Sequence, residues 1–341
     1  MKSELAIVIL NYNTAHLLPT YLPSVVECSD GSEVIFADNG SNDESVAYVR
    51  EHFPQIRIIE LDKNYGFTGG YNRALQQVDA DYYCLLNSDV KVTAEWTKRP
   101  LDLLKQNSEI AACQPKLLSY CEQDKFEYAG AAGGYIDSLG YPFCAGRIFE
   151  QIEKDKGQYE TEREIFWASG AALFIKAALY HKFGGLDERF FAHMEEIDLC
   201  WRLKNAGYKV FYTPQSKVYH LGGGTLNKTS ARKTFLNFRN NLLLLYKNLP
   251  KSELKSVLRK RRFLDFVAAI VFLLQAKPKE AIAVRKAYKA FGEMKKYYHS
   301  SGESVASYPN CVYYKSIVVE AKLKGKKRFE DLEVSNFEKQ A

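Results

Sequence analysis

The chain has 341 residues and is 46% hydrophobic, which excludes a disordered chain and fits one large domain with an appendage, or two domains. Seven cysteines form no CxxC pair, which argues against a structural zinc site or a disulfide framework and leaves buried thiols. The net charge of +6 is unevenly placed: residues 251–298 carry 13 Lys+Arg against 4 Asp+Glu, a net of +9, so the remainder sums to −3.

The opening apolar run, residues 5–10, is too short for a signal peptide, so the expected location is the cytoplasm. Four β-rich runs follow one another at 5–10, 33–38, 56–61 and 81–87, and helical patterns at 12–28, 43–52, 68–78 and 94–106 fill the gaps. The order βαβαβαβα predicts a mainly parallel, Rossmann-like sheet flanked by helices, with ligands outside the carboxyl ends of its strands. The residues just past those ends are Asn11, Asp38, Asp62 to Asn64 and Asn87 to Asp89, nearly all polar or acidic. Residues 116–164 show no period that assigns an element. Order resumes with a strand at 165–176, a helix to about 183 stopped by Gly184-Gly185, and a helix at 195–206 closed by Gly207. Strands at 210–213 and 216–220 precede three helices at 231–249, 251–276 and 278–298, and a mixed, loosely held tail.

Asp38 ends the second strand in a turn, where it can accept from a base N–H or a ribose hydroxyl, or simply form an Asx turn. The loop Asn64-Tyr65-Gly66-Phe67-Thr68-Gly69-Gly70-Tyr71-Asn72 lacks GxGxxG and follows the third strand, which weakens a dinucleotide reading. Its glycines allow close backbone approach at a helix N-terminus, where free N–H groups favour a diphosphate; packing of helix on sheet is the alternative. Asn87-Ser88-Asp89 ends an apolar strand and suits a hard divalent cation shared with a diphosphate, Asp89 as ligand and Asn87 as hydrogen-bonding neighbour. His220 sits at a strand end before Gly222-Gly223-Gly224 and can serve as a second metal ligand or as a structural histidine. Trp167 and the small residues through Gly170 offer a surface for an acceptor, or core packing. Finally, Glu195, Glu196 and Asp198 crowd three carboxylates into four positions at a helix start, an arrangement that points to a proton to be taken, a cation to be held or a polyhydroxylated ligand to be gripped.

Taken in this order, the motifs over residues 4–250 resemble glycosyltransferase family 2 with the GT-A fold, in particular its rhamnosyltransferase-like branch of bacterial polysaccharide biosynthesis. The resemblance rests on Ile7 to Asn13, Asp38 to Ser41, Asn64 to Asn72, Asn87 to Asp89, Gly184 to Phe191 with Glu195 to Arg202, His220 to Gly224, and Arg239 to Asn241. It implies a catalytic domain at 1–250 and a basic, apolar helical extension at 251–341. It also implies an inverting transfer from a nucleotide-diphosphate sugar (dTDP-, UDP- or GDP-linked) to a hydroxyl of a glycan or lipid-linked acceptor, with Mg²⁺ or Mn²⁺ on Asp89 and His220. Asn11, Asn13, Asp38, Asn64, Gly66, Gly69, Gly70, Asn72, Asn87 and Ser88 then fall on the donor side, and Trp167 and Gly170 on the acceptor side. Glu196 takes the position of the catalytic base, where the family has Asp, with Glu195 and Asp198 beside it.

A sugar nucleotidyltransferase is disfavoured by Asn11 to Ala15, which lack the basic Gly-rich loop such an enzyme needs after its first strand. A sugar-nucleotide-binding or membrane-scaffolding module with degraded catalysis is the non-enzymatic alternative. The apolar run at 263–274, with Asp265 inside it, is too short to span a bilayer that needs ~20 residues. Flanked by Arg259 to Arg262 and by Lys277 and Lys279, it can lie on an anionic membrane at the inner face, or pack on the catalytic domain or in a homodimer. No nucleic-acid motif accompanies the basic charge.

Overall fold

Leu5 to Ile9 are all buried, on both faces of the strand they form, because helices cover the sheet from both sides; this is why the run reads as continuously apolar rather than alternating. The computed structural model describes residues 2–29, 31–222, 230–298 and 308–337. The first half runs β1 (Ser3–Asn11), α1 (Leu18–Glu27), β2 (Glu33–Asp38), α2 (Ser45–His52), β3 (Arg57–Glu60), α3 (Gly66–Leu75), β4 (Ala80–Asn87), β5 (Val90–Val92), α4 (Lys98–Gln106) and β6 (Ile110–Ser119). Short strands β7 (Gly134–Asp137), β8 (Pro142–Cys144), β9 (Arg147–Ile148), β10 (Gln151–Ile152) and β11 (Arg163–Ile165) follow, then β12 (Ala172–Lys176), α5 (Ala177–Lys182), a 3-10 turn at Glu188–Phe190, α6 (Glu195–Asn205) and β13 (Lys209–His220). The chain closes with α7 (Ala231–Asn248), α8 (Lys251–Leu274), α9 (Pro278–Met294), β14 (Val312–Tyr313) and α10 (Ile317–Lys322), among shorter 3-10 turns.

The main sheet has the order β11-β13-β6-β12-β4-β1-β2-β3, with β5 against β13. The parallel expectation holds from β4 through β3; β12 then reverses direction against both β4 and β6, so the sheet is mixed. Residues 210–213 and 216–220 belong to one strand, β13, whose register against β6 shifts between Thr213 and Lys217. Ala6 and Val8 face a core shared with Tyr71, Leu75, Leu199 and Leu203 of α3 and α6, while Leu5, Ile7 and Ile9 face Leu18, Leu22 and Leu103 of α1 and α4. The first helix starts six residues later than its pattern suggests. Asn13 takes a left-handed φ of 54°, which breaks the helix there, and Pro19 occupies the first turn, where its missing N–H costs nothing.

The stretch without a readable period, 116–164, holds most of a second sheet, β10-β9-β8-β7-β14. Strands of two to four residues are too short to display alternation, and the fifth comes from the far end of the chain. That tail is tied to the body across the boundary expected near 250: β14 pairs with β7, and the rings of Phe329 and Phe337 pack against Tyr135, tilted and edge-on, with centroids 4.8 and 5.4 Å away. Trp167 lies in the same packing and does not offer an acceptor platform. Its Nε1 donates to Tyr135 O at 2.9 Å, it is 4% exposed, and a Cβ on Gly134 would fall 2.1 Å from its ring. No disulfide joins the cysteines; Cys84, Cys113, Cys144 and Cys200 are buried and Cys121 is exposed.

Because the indole sits on Gly134 with no room to retreat, Gly134→Ala should destabilise the fold by at least about 1–3 kcal/mol, as overpacking does. Thermal unfolding against the parent protein reads this as a lowered Tm.

Candidate active site

At the sheet's carboxyl rim, register sets Asn11 beside Asp38, and Leu10 beside Asn87. Asp38 accepts from Asn11 Nδ2 at 2.9 Å and from the Ser41 backbone N–H at 2.8 Å, and Asn11 Nδ2 also donates to Ser41 Oγ at 3.0 Å. Thr14 Oγ1 donates to Asn11 Oδ1 and lies 3.2 Å from Ser88 Oγ, which joins β1 to β4. Asn13 completes the knot: its backbone N–H donates to Ser41 Oγ at 3.0 Å and its Oδ1 accepts from Asn42 N at 2.9 Å. Asn11 and Asn13 thus hold Asp38 in place, and Asp38 itself is only 3% exposed.

The glycine loop differs from expectation. The N–H groups opening α3 are not free: Gly66 N donates to Asn64 Oδ1 at 2.8 Å, Phe67 N to Phe191 O at 3.0 Å, and Thr68 N to the same oxygen at 3.4 Å. The glycines face protein. A Cβ on Gly66 would come within 2.6 Å of the Phe191 ring, on Gly69 within 2.9 Å of Tyr65 Cβ, and on Gly70 within 2.9 Å of Leu10. Asn72 is likewise spent on the chain itself, donating to Leu186 O at 2.7 Å and accepting from Tyr180 OH and Leu186 N at 2.7 and 3.0 Å. Asn64 closes the loop on Gly66 and Asn39, Gly69 and Gly70 sit against Tyr65 and Leu10, and Gly66, Asn72 and the first N–H groups of α3 bind that helix to residues 186–191, which lead into the acidic segment.

That segment is held in a costly conformation. Phe191, His193 and Met194 all have left-handed φ, at 66°, 71° and 74°, each worth on the order of 1–3 kcal/mol for a non-glycine residue. Asn240 of α7 offsets part of this, its Nδ2 lying 3.0, 2.8 and 2.7 Å from the carbonyls of Phe190, Ala192 and His193; Arg239 adds a bond to Phe190 O at 2.9 Å. The turn delivers Glu195 and Glu196 to the start of α6. Each has an Oε2 without a hydrogen-bond partner. Burial raises both carboxyls, Glu196 to about 7 and Glu195 well above the usual range, Glu196's charge adding to the effect on Glu195. Glu196 is the more open of the two. Gly170 lies beside it, a Cβ there falling 4.0 Å from Glu196 Cβ and 3.2 Å from Phe67, and Asn87 N donates to the next carbonyl, Ala171 O, at 3.1 Å. The segment carrying Gly170 is thus the bridge between Glu196 and the end of β4.

Asp198 does not belong with the other two acids. It receives Arg202 Nε at 2.9 Å, Lys247 Nζ at 2.8 Å and Asn248 Nδ2 at 2.9 Å, and is fully buried. Burial opposes its ionisation, but Arg202 and then Lys247 outweigh it and hold the carboxyl below its ordinary value. A carboxylate so satisfied is poorly suited to accept an acceptor's proton.

On the other side of β4, pairing of β5 with β13 sets His220 opposite Val90, one residue from Asp89. His220 Nε2 is 3.0 Å from Asp89 Oδ1 and 3.4 Å from Asn87 Nδ2, and Nδ1 is 3.3 Å from Glu127 Oε1. Burial disfavours charge on this ring, but Glu127 and then Asp89 outweigh it and push the imidazole up to about 10. The 3.0 Å contact is a hydrogen bond between the two side chains, and a carboxylate and an imidazole side by side are donor types that would hold a divalent cation. Glu127 lies 3.3 Å from the far nitrogen, where its charge would favour a proton on Nδ1 and so leave Nε2 to a metal. Among the described residues no three His, Cys, Asp or Glu side chains form a metal cage, so these donors suit a cation that keeps most of its ligands from elsewhere. Gly223 and Gly224 of the motif lie outside the described residues. Sequence reading missed Glu127, which acts only across the fold and falls in the stretch without readable elements, and it marked Asn240 within a motif without giving it this role.

Two outcomes test this division of labour. Asp198→Ala strips a buried carboxylate from Arg202 and Lys247 and should cost about 3–5 kcal/mol in urea unfolding, whereas Glu196→Gln should cost little or nothing. Glu127→Ala should weaken Mn²⁺ binding about 10–100-fold, followed by electron paramagnetic resonance titration in the presence of a nucleoside diphosphate.

Comparison with known proteins bears on the fold and the family. Over 239 residues the chain is 27% identical to an N-acetylglucosaminyl-diphospho-decaprenol L-rhamnosyltransferase of Mycobacterium tuberculosis, covering 64% of this chain and 76% of that protein. It is 22% identical over 250 residues to a low-salt glycan biosynthesis hexosyltransferase of Haloferax volcanii, covering 71% and 76%. Among solved structures, GalNAc-T7 with UDP, GalNAc and Mn²⁺ superposes with a TM-score of 0.57 at 15% identity, over 87% of this chain and 57% of that one. S. aureus TarS gives 0.55 at 14% identity, over 84% and 80%. These likenesses carry the GT-A fold. The model of the Glycosyl transferase family 2 matches residues 6–180, about half of the chain and every rim strand from β1 to β4, and the protein is a member of that glycosyltransferase family.

Proposed function

We propose that the protein performs an inverting, metal-dependent glycosyl transfer in which Glu196 is the base. The observation that carries this is the pairing of a half-buried Glu196 carboxyl, with one oxygen unpartnered and its pKa raised to about 7, with the polar corner of Asp89 and His220, bridged by the segment 170–171. Glu196 takes the proton of the acceptor hydroxyl while that oxygen bonds to the anomeric carbon. The bond from this carbon to the diphosphate oxygen breaks, its electron pair leaves with the nucleoside diphosphate, and the configuration inverts. Mg²⁺ or Mn²⁺, when bound, supplies positive charge against the charge growing on the leaving group. Asp89 and His220 hold it and Glu127 orients the histidine. Asp38, fixed by Asn11 and Ser41, receives a donor group of the base or ribose. Glu195, deeper and kept neutral by burial, leaves the site with one working carboxylate rather than two repelling ones.

The proposed acceptor is a lipid-linked glycan at the cytoplasmic face of a membrane, in polysaccharide assembly. Likeness to the mycobacterial rhamnosyltransferase supports that choice and puts dTDP-rhamnose first among donors, before UDP- and GDP-sugars.

Nucleoside diphosphate release from a panel of these donors tests the reading. Glu196→Gln should lower kcat by about 10²–10⁴-fold, and Asp89→Ala should abolish the response to added Mn²⁺. Because the base works only when ionised, kcat/KM should rise with pH through a limb near 7 and fall away below it. A profile flat from acid to neutral pH, or full turnover by Glu196→Gln, would remove Glu196 from the role.

A further inference from the structure

The hairpin of α8 and α9 leaves an apolar face uncovered. Among the described residues, eight of the fourteen exposed large apolar side chains lie on it, so the patch is a concentration and not the scatter of a normal surface. Phe263, Phe266, Ile270 and Leu274 follow one another by three or four residues along one side of α8; Leu273 is next to them and Ile282 of α9 adjoins the tip. Leu274 is 82% exposed and Phe266 63%.

The opposite side of α8 is fastened to the catalytic body. Arg261 Nη1 donates to Leu139 O at 3.1 Å, and Asp265 accepts from Tyr141 OH at 3.1 Å and from Tyr288 OH at 2.9 Å. The one acid inside the apolar run is therefore turned inward as an anchor, which leaves the outward face purely apolar over 263–274 and fixes its direction relative to the active site.

Charge decides what covers this face. Arg259, Lys260 and Arg262 stand exposed just before the apolar stretch and Lys277 and Lys279 just after it, within a segment of net +9 (13 basic, 4 acidic, residues 251–298). A second copy would bring another +9 segment against the first. An open groove of about 570 Å³ runs beside the patch, with Leu139, Leu264 and Val319 lining it and Arg259 and Lys260 among its walls, a combination that accommodates apolar chain and phosphate together. No helix among the described residues is long and apolar enough to cross a membrane. We propose that the α8–α9 face is a docking surface for an anionic lipid bilayer, its aromatic and leucine side chains entering the acyl boundary while the flanking lysines and arginines meet lipid phosphates.

The experiment is co-sedimentation of the full chain with vesicles of phosphatidylcholine alone or mixed with phosphatidylglycerol, at low and high salt. Binding should be at least roughly tenfold stronger to the mixed vesicles and weaken as salt is raised. Phe266→Ser with Leu274→Ser, and separately Lys277→Glu with Lys279→Glu, should each reduce it at least about tenfold while circular dichroism and Tm stay unchanged, since all four residues are exposed. Donor turnover with a soluble acceptor analogue should survive both pairs, which separates this surface from the catalytic reading. Equal binding to neutral vesicles, undiminished binding by both pairs, or a dimer in analytical ultracentrifugation that the serine pair dissolves would overturn the proposal.

Discussion

The turn from Phe191 to Met194 is the constraint on which the site depends. Left-handed backbone at three non-glycine residues is unfavourable by itself, and it persists because two elements distant in sequence grip successive carbonyls of the turn. The N-terminus of α3 donates to Phe191 O, and Asn240 from α7 meets Phe190, Ala192 and His193. The grip has a cost in ligand chemistry, since N–H groups that might have met a phosphate are already used. What it gains is an abrupt entry into α6, so that the first residues of that helix are carboxylates aimed at the rim rather than residues of an ordinary capping turn.

From there, three neighbouring acids are separated by surroundings alone. Asp198, one turn into α6, meets two cations and an amide and stays ionised. Glu195 has neither and is buried beside another carboxylate, so the neutral form is favoured. Glu196 lies between these extremes, half-buried beside Gly170. Crowded charge at a helix start thus becomes one fixed anion, one neutral group and one group poised near neutrality.

The legible part of the fold was the part governed by local pattern. The strands β1 to β4 bury both faces and end in polar residues, so their run lengths and stops are written in consecutive positions; β2 at Glu33–Asp38 coincides with its apolar run. The helices α7 to α9 carry enough turns for their period to appear. What escaped depended on partners far along the chain: the two-residue strands of the second sheet, the return of β14 to β7, and the glutamate behind His220. Trp167 was misleading for a related reason. A tryptophan among small residues looks the same in sequence whether those residues make room for a ligand or for the indole, and here Gly134, 33 positions earlier, supplies the space.

The same electrostatic reasoning bears on Asn87, an uncharged amide 3.4 Å from the His220 ring. His220 stands between two buried carboxylates, Asp89 and Glu127, which favour the protonated imidazole over the neutral one. Were a divalent cation held by Asp89 and His220, the imidazole would be neutral, and its charge with that of the two carboxylates and the cation would sum to zero. A third carboxylate at position 87, 3.4 Å from the ring, would leave net negative charge facing an incoming diphosphate. With Glu127 already supplying one acid from behind the histidine, an amide at 87 keeps the polar contact and avoids that repulsion.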